Sequence, residues 1–384
     1  VTPNPVQTRY GYYQVGDQQI TNKIQALKLA TDTQQHVTWH WSDQVWQGAD
    51  WLNEPATDVY ELYRMRARQI RERYDYVIIN YSGGSDSQTL VDAFLDAGCH
   101  IDEIVTMWNR KYVKSINHNA SCTDVRNLEA EFDLATAPGL ERIRQRSPCT
   151  RITYRDICDS VLTVFNQADG ESWLDLTTEH LNPGYMTRWS ATSETDQLRT
   201  LDRGLNSVIV SGADKPKICI RDDGGYYLYF VDILVNNACG STNLPEYDNI
   251  NYELFYWSPD LPEISVKQAH MVRRWFEANP VLKYLLTWPN NSQGNRTAYE
   301  KIIKSIIYPK YDFYTFQVDK PTSTVTCEWD DWFFREHANT RAHHNWMQGI
   351  HWVEQNIDSR FLKYDFAGKF EGFGGFIQGP FALQ

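Results

Sequence analysis

The sequence has no apolar run of about 18 or more residues, the length a helix needs to cross a bilayer, so no membrane span is expected. The stretch Val1 to Tyr13 is polar and carries prolines, without the apolar core of a secretory signal. Positive charge is in deficit: 37 Lys and Arg stand against 49 Asp and Glu, a formal net charge of -12. Nonspecific nucleic-acid binding is driven by clustered basic charge, so a nucleic-acid partner is not expected, while a local basic pocket for a nucleotide remains compatible. Cysteine is sparse and odd in number. Cys99, Cys122, Cys149, Cys158, Cys219, Cys239 and Cys327 include no C-x-x-C pair. That spacing argues against a disulfide framework and a closed zinc site, and for reduced thiols in a cytoplasmic protein. Two phosphate-binding signatures are missing as well: there is no Walker loop, G-x-x-x-x-G-K-[ST], and no dinucleotide fingerprint, G-x-G-x-x-G.

What is abundant is aromatic side chain: 14% of the 384 residues, including 14 Trp and 23 Tyr, within a hydrophobic share of 42%. That composition supports a real core, with some rings free to line a cleft. Three regions are expected. Residues 1–56 read as an N-terminal extension, either a small subdomain or a wrap onto the main core, with mixed helical spacing from Gln18 to Ala30 and Trp41, Trp46 and Trp51 beyond it. Residues 57–260 read as an α/β domain, and 261–384 as a mainly helical region. A helix from about Asp58 to Arg73 opens with the capping-box spacing Asp58–Glu61. Its apolar stripe is Val59, Leu62, Tyr63, Ala67 and Ile70, and Arg64, Arg66, Arg68, Arg71 and Arg73 read as a solvated face.

Tyr74 to Tyr81 is β-branched and apolar, a buried parallel strand by composition and length. A Ser/Gly loop follows, then a helix from Gln88 to Ala97 that Gly98 can stop, then a strand from Ile101 to Trp108. This β–loop–α–β order predicts an open, mostly parallel sheet with helices on both faces. Lys111 to Asp159 reads as mostly helical. Ser207 to Val210 reads as a strand, and Lys217 to Asp232 as a hairpin turning at Asp222-Asp223-Gly224-Gly225.

The loop Ser82-Gly83-Gly84-Ser85-Asp86-Ser87 carries the chemistry. First-turn amides of the following helix have no helical partners and point at one spot, and with the helix dipole they make an anion site. Gly83 and Gly84 permit unusual dihedrals and close approach of an anion. Ser82, Ser85 and Ser87 add hydroxyls. Asp86 would repel phosphate unless a divalent cation bridges the two.

The six residues match the S-G-G-x-D-S signature of the PP-loop ATP pyrophosphatases, and the chain from about Tyr74 to Trp108 resembles that superfamily. The resemblance implies an adenine nucleotide alpha-hydrolase-like fold, ATP and Mg2+ as cofactors, and release of pyrophosphate with an adenylated intermediate. In organisation the synthetase domain of asparagine synthetase is the nearest analogue. A second loop, Ser211-Gly212-Ala213-Asp214-Lys215, ends a later strand, as in that branch, but departs from its usual Gly-Ser-Asp-Glu type. By position Asp214 would share the metal with Asp86, and Lys215 would neutralise the leaving pyrophosphate. The alternative is a turn leading into a hairpin. Trp108, with Met107, Asn109 and Arg110, stands where a strand end would flank adenine or ribose, or else belongs to the core.

Other features read as structural. Arg142, Arg144, Arg146 and Arg151 suit a solvated face better than a phosphate contact. His337, His344 and His351 recur every seven residues, roughly 10 Å along a helix, too far apart to share one ion. Lys267, Gln268 and His270 suit a solvated face better than a substrate carboxylate. Three functions follow. The first is an ATP-dependent ligase activating a carboxylate or carbonyl for attack by an amine or ammonia. No glutaminase fits ahead of the loop, so nitrogen would come from free ammonia, another subunit or an amine substrate. The second is a PAPS-reductase-like or sulfur-transfer enzyme, disfavoured because paired and tail cysteines are missing. The third is a non-catalytic adenine-nucleotide-binding protein. The expected partner is a small-molecule or amino-acid-like acceptor, with a homo-oligomer left open.

Overall fold

The computed structural model describes residues 11–107, 132–155, 157–176, 181, 205–212, 214–232, 250–287, 293–310, 328–364 and 370–383. The described chain begins with a small antiparallel sheet in which β1 (Tyr12–Val15) lies between β2 (Gln18–Ile20) and β3 (Val37–His40). The helical spacing expected from Gln18 therefore starts as strand. Helix α1 (Lys23–Thr33) begins only after Asn22, whose side chain accepts from the Gln25 amide at 3.1 Å. A short α2 (Asp43–Gly48) leads to α3 (Val59–Arg73). Asp58 caps α3, accepting from the Tyr60 and Glu61 amides at 2.9 and 3.3 Å. Glu61 turns instead to Arg64 and Arg68, so only half of the capping box forms.

The centre is a five-stranded, all-parallel sheet flanked by helices. Its strands are β4 (Tyr76–Asn80), β5 (Glu103–Met107), β6 (Arg151–Arg155), β7 (Ser207–Ser211) and, after β8 (Lys217–Ile220) and β9 (Tyr226–Val231), β10 (Ile250–Leu254). Their order is β10-β7-β4-β5-β6. Helix α4 (Ser85–Asp96) connects β4 to β5, α5 (Ala137–Arg146) precedes β6, and α6 (Ile157–Gln167) follows it. From β4 the chain builds outward through β5 to β6, then returns to the other side of β4 with β7. The loops after β4 and β7 thus leave the carboxyl edge of the sheet side by side, at the reversal where open α/β sheets bind ligands. Residues 111–131 lie outside the described residues; from 132 the mixed, mostly helical reading holds, interrupted by β6, where pairing to β5 decides an edge segment whose own pattern is weak.

The hairpin β8–β9 forms as expected, but its sheet has a third strand. β13 (Ile377–Leu383) pairs antiparallel with β9, and β11 (Leu362–Tyr364) pairs with β12 (Phe370–Phe373). The C-terminal region is otherwise helical: α7 (Glu263–Ala278), α8 (Gln293–Ile307), α9 (Glu328–Glu336) and α10 (Arg341–Asn356). The last two are separated by a turn at Asn339, which has φ 67°.

One apolar cluster runs from Tyr13 through the central sheet to Leu383. The N-terminal tryptophans belong to it: Phe230 of β9 has ring centroids 4.4 Å from Trp46, 5.3 Å from Trp41 and 5.0 Å from Trp257. The described tryptophans of the first segment therefore pack into the main core. A second cluster joins α1 to α6, α9 and α10 through Leu27, Phe165, Trp173, Phe333 and Val353.

Buried charge ties these parts together. Lys23 and Asp232, both fully buried, pair at 2.8 Å. Asp232 also accepts from the Tyr13 hydroxyl at 2.7 Å and the Phe376 amide at 2.8 Å. The expected solvated face of α3 is corrected at Arg66, which is 0% exposed and meets Glu253 of β10 at 2.6 Å. Glu253 also accepts from the Tyr74 hydroxyl at 2.6 Å. Arg66 faces α3's packed side and finds its partner on a distant strand, which a charge count along the helix cannot register. Lys267, Gln268 and His270 likewise do not form a solvated face: Gln268 and His270 are buried and Lys267 is tied to the N-terminal region. Lys267 holds Glu54 and the Pro55 carbonyl, both at 2.8 Å, and His270 bonds the Trp51 carbonyl at 3.0 Å. Among the described residues, Cys99, Cys149, Cys158 and Cys219 are free thiols, and no helix is long and apolar enough to cross a membrane.

Candidate active site

The loop after β4 closes on itself. The Ser82 amide donates to Ser87 Oγ at 3.3 Å, the two hydroxyls stand 3.4 Å apart, and Ser87 Oγ donates to the Gly84 carbonyl at 3.2 Å. Gly83 has φ 72°, the left-handed conformation glycine tolerates. A Cβ there would lie 2.6 Å from Thr136 Cα and N and 2.8 Å from the Ala135 carbonyl carbon. The close approach anticipated for an anion is thus taken by the protein's own backbone, pinned by the Thr136 hydroxyl donating to the Ser82 carbonyl at 2.9 Å. Gly84 is the N-cap of α4 with φ -78° and ψ 165°, a conformation open to other residues, and no side chain caps that helix. The first-turn amides of α4 therefore keep the anion-binding character read from the sequence. Ser85, 2% exposed, has a buried hydroxyl with no hydrogen-bond partner. An uncapped helix start with an orphaned hydroxyl is what a phosphate group would satisfy.

The loop after β7 meets this turn. A Cβ on Gly212 would lie 3.2 Å from the carbonyl carbon and oxygen of Asp86 and 3.3 Å from the Ser87 amide. This contact seats Lys215 beside Asp86, with Nζ 2.9 Å from Oδ2. The same ammonium is 3.6 Å from Asp214 Oδ1, and the other Asp214 oxygen is 2.8 Å from Lys217 Nζ. Lys217 also stands 3.8 Å from Glu300. The sequence's two constellations, 129 residues apart at Asp86 and Lys215, form one cluster.

Two tyrosines that local sequence gives no reason to single out complete it. Tyr308, just past α8, donates its hydroxyl to Asp86 Oδ1, and Tyr256, just past β10, donates to the Asp86 backbone carbonyl at 2.8 Å. Both are buried, with ring centroids 5.4 Å apart. Aromatic abundance was the only available signal.

The electrostatics keep the cluster ionised. Burial pushes the Asp86 carboxyl up, but Lys215, Lys304 and the Tyr308 hydroxyl outweigh it and hold the group below its usual value. Asp214 behaves alike: burial raises it, and Lys217 and Lys215 outweigh burial to bring it to about 2. Burial would lower Lys215, but Asp86, Asp214 and Glu300 raise it well above an ordinary lysine. Phosphate would meet a fully charged ammonium.

Magnesium, implied by the resemblance, fits these residues less well. Mg2+ is usually held by one or two carboxylates with waters and phosphate oxygens. Here Asp86 and Asp214 do not converge on a common gap: the Lys215 ammonium lies between them, and all four carboxylate oxygens are already engaged by ammonium or hydroxyl groups. Among the described residues, no group of three or more His, Cys, Asp or Glu is placed to hold a metal ion.

The remaining expectations separate. Trp108, Asn109 and Arg110 lie outside the described residues. Arg146 pairs with Asp92 and Asp96 of α4, Arg144 with Glu141 at 3.6 Å, and Arg151 with Glu103 at 3.9 Å. These three arginines are half-exposed and paired with carboxylates, in keeping with the solvated face rather than a phosphate contact. His337 and His343 pack among Trp332, Phe333, Phe334 and Trp346, while His344 and His351 are exposed.

No known family's sequence profile matches this chain, and no curated protein matches it. Among solved structures it is similar to the NH3-dependent NAD synthetase from Campylobacter jejuni subsp. jejuni NCTC 11168, solved in complex with the nitrate ion. The two are 13% identical over 66% of this chain and 95% of that one, with a TM-score of 0.29, a likeness too slight to bear on this chain's chemistry.

Proposed function

We propose that this chain binds ATP at the Ser82–Ser87 loop and cleaves it between the α and β phosphates to activate a small acceptor. An acceptor carboxylate or carbonyl oxygen attacks the α-phosphorus. The bond to the β-phosphate breaks, and pyrophosphate leaves with the electron pair. An amine or ammonia then attacks the activated carbon and AMP departs, forming a C–N bond. An amino-acid-like acceptor suits the asparagine-synthetase type of organisation.

The observation that carries this reading is the convergence of two loops at the sheet's reversal: the uncapped start of α4 from one side and the Lys215 ammonium from the other. In this reading the α4 amides and Ser82 hold phosphate oxygens. Lys215 neutralises charge that accumulates on the departing pyrophosphate, where a fixed positive group is worth most. Asp86 and Asp214 aim the ammonium, and Tyr308 and Tyr256 fix Asp86. No step is assigned to magnesium, which accompanies ATP in solution.

The test is pyrophosphate release from ATP with Mg2+ across amino acids and ammonium, comparing the native chain with Asp86→Ala. Loss of one preorganised electrostatic group of this kind lowers turnover by about a hundredfold or more, and that is the expected result. Native protein that neither binds ATP nor differs from the variant would refute the reading. ATP binding without pyrophosphate release for any acceptor would favour a nucleotide-binding protein.

A further inference from the structure

The sequence called for a cation beside Asp86, and the fold supplies one of its own. Lys215 Nζ sits 2.9 Å from Asp86 and 3.6 Å from Asp214, with only 7% of its side chain exposed. Tyr308 takes the other Asp86 oxygen, and Lys217 takes the other Asp214 oxygen. A Mg2+ ligated by these carboxylates would stand about 2 Å from an oxygen. It would then lie within a few ångströms of the ammonium in a largely water-excluded place, where like charges repel strongly. The lysine cannot simply step aside, because a buried ammonium without a partner is costly. Lys217 is already committed to Asp214 and Glu300. The group able to draw Lys215 away is another anion, and the uncapped first turn of α4 lies next to it.

We propose that the Lys215 ammonium and a divalent cation are mutually exclusive occupants of the space between Asp86 and Asp214, so that metal gains these carboxylates only as phosphate oxygens take the lysine from them. The phosphate half rests on the ATP reading above; the exclusion does not. Metal and nucleotide are then coupled ligands. Each lowers the cost of the other's arrival, and metal alone binds poorly.

Mn2+ is the probe, followed by the electron paramagnetic resonance of the free ion in the absence of nucleotide. Lys215→Met is expected to bind Mn2+ at least tenfold more tightly than the native chain. Lys215→Arg, which keeps the charge, is expected to stay near native. Adding Asp86→Asn to Lys215→Met is expected to abolish the gain. Should Lys215→Met fail to fold, Lys215→Met with Asp214→Asn removes one charge of each sign and still frees Asp86, so tighter Mn2+ binding than native is again expected. Equal Mn2+ affinity in the native chain and a folded lysine-free variant would overturn the proposal, as would a gain that survives loss of Asp86. A positive Mn2+ result without pyrophosphate release would refute the ATP reading alone, and the reverse would refute the exclusion alone.

Discussion

Gly83 and Gly98 have nearly the same backbone conformation, φ 72° and 69°, yet opposite surroundings, and alanine at each separates two physical costs. At Gly98 a Cβ meets nothing within 4 Å. This residue closes α4, its amide bonding the Leu95 carbonyl at 3.2 Å while Cys99 bonds Phe94 at 2.9 Å, the paired pattern of a glycine-ended helix. Alanine there carries only the left-handed penalty, about 1–2 kcal/mol. At Gly83 the same penalty applies, but the Cβ meets the Thr136 and Ala135 backbone at 2.6 and 2.8 Å. Backbone cannot rotate aside like a flexible side chain, and retreat would stretch the Thr136–Ser82 hydrogen bond. Overpacking of this kind costs about 1–3 kcal/mol, so Gly83→Ala should total about 2–5 kcal/mol. Urea unfolding followed by tryptophan fluorescence, with slopes checked for equality, gives both values. Gly83→Ala is expected to be the more destabilised by about 1–3 kcal/mol. Equal losses at the two sites would refute the claim that the loop is seated against the Ala135–Thr136 backbone.

Asp214 supplies an acid-stability prediction. Its folded pKa of about 2 lies below the 3.8 of the free side chain. Its contribution is therefore present above pH ~4 and is lost as pH falls through ~2, worth about 2 kcal/mol at neutral pH. Asp214→Asn should lose that increment at pH 7 and flatten the stability curve between about pH 4 and 2; an unchanged acid limb would reject the assignment. Arg66→Leu should destabilise by about 1–3 kcal/mol, because it removes the 2.6 Å partner of the buried Glu253 carboxylate while leaving it Arg73 at 3.3 Å and the Tyr74 hydroxyl at 2.6 Å. Adding Glu253→Leu should restore much of the loss in the same urea assay, and a double variant as unstable as the single would contradict it.

Much of the site's frame is written locally. The run from Tyr76 to Asn80, the Ser/Gly loop and the amphipathic stretch after it carry their own length, composition and stop signal, and they form β4, the turn and α4. The hairpin at Asp222 to Gly225 is legible for the same reason. What the sequence withholds is proximity. Lys215 reaches Asp86 because β7 returns to the far side of β4, and strand order is decided by pairing over the whole sheet. Tyr256 and Tyr308 lie 170 and 222 residues from Asp86, and no periodicity connects them. Arg66 was misplaced because a charge run along one helix looks solvated until its distant partner is known. The cation expected beside Asp86 has a counterpart that the sequence could not place, the Lys215 ammonium on another loop.

The knot around Asp232 has a consequence for how the polypeptide is made. Its partners come from Tyr13, Lys23 and Phe376, and β9 receives its neighbour β13 from residues 377–383. During synthesis Lys23 and Asp232 emerge before the Phe376 amide and the covering strand β13. The buried Lys23–Asp232 pair is completed only once β13 has left the exit tunnel. A translational pause ahead of β13 would leave that pair open on one side.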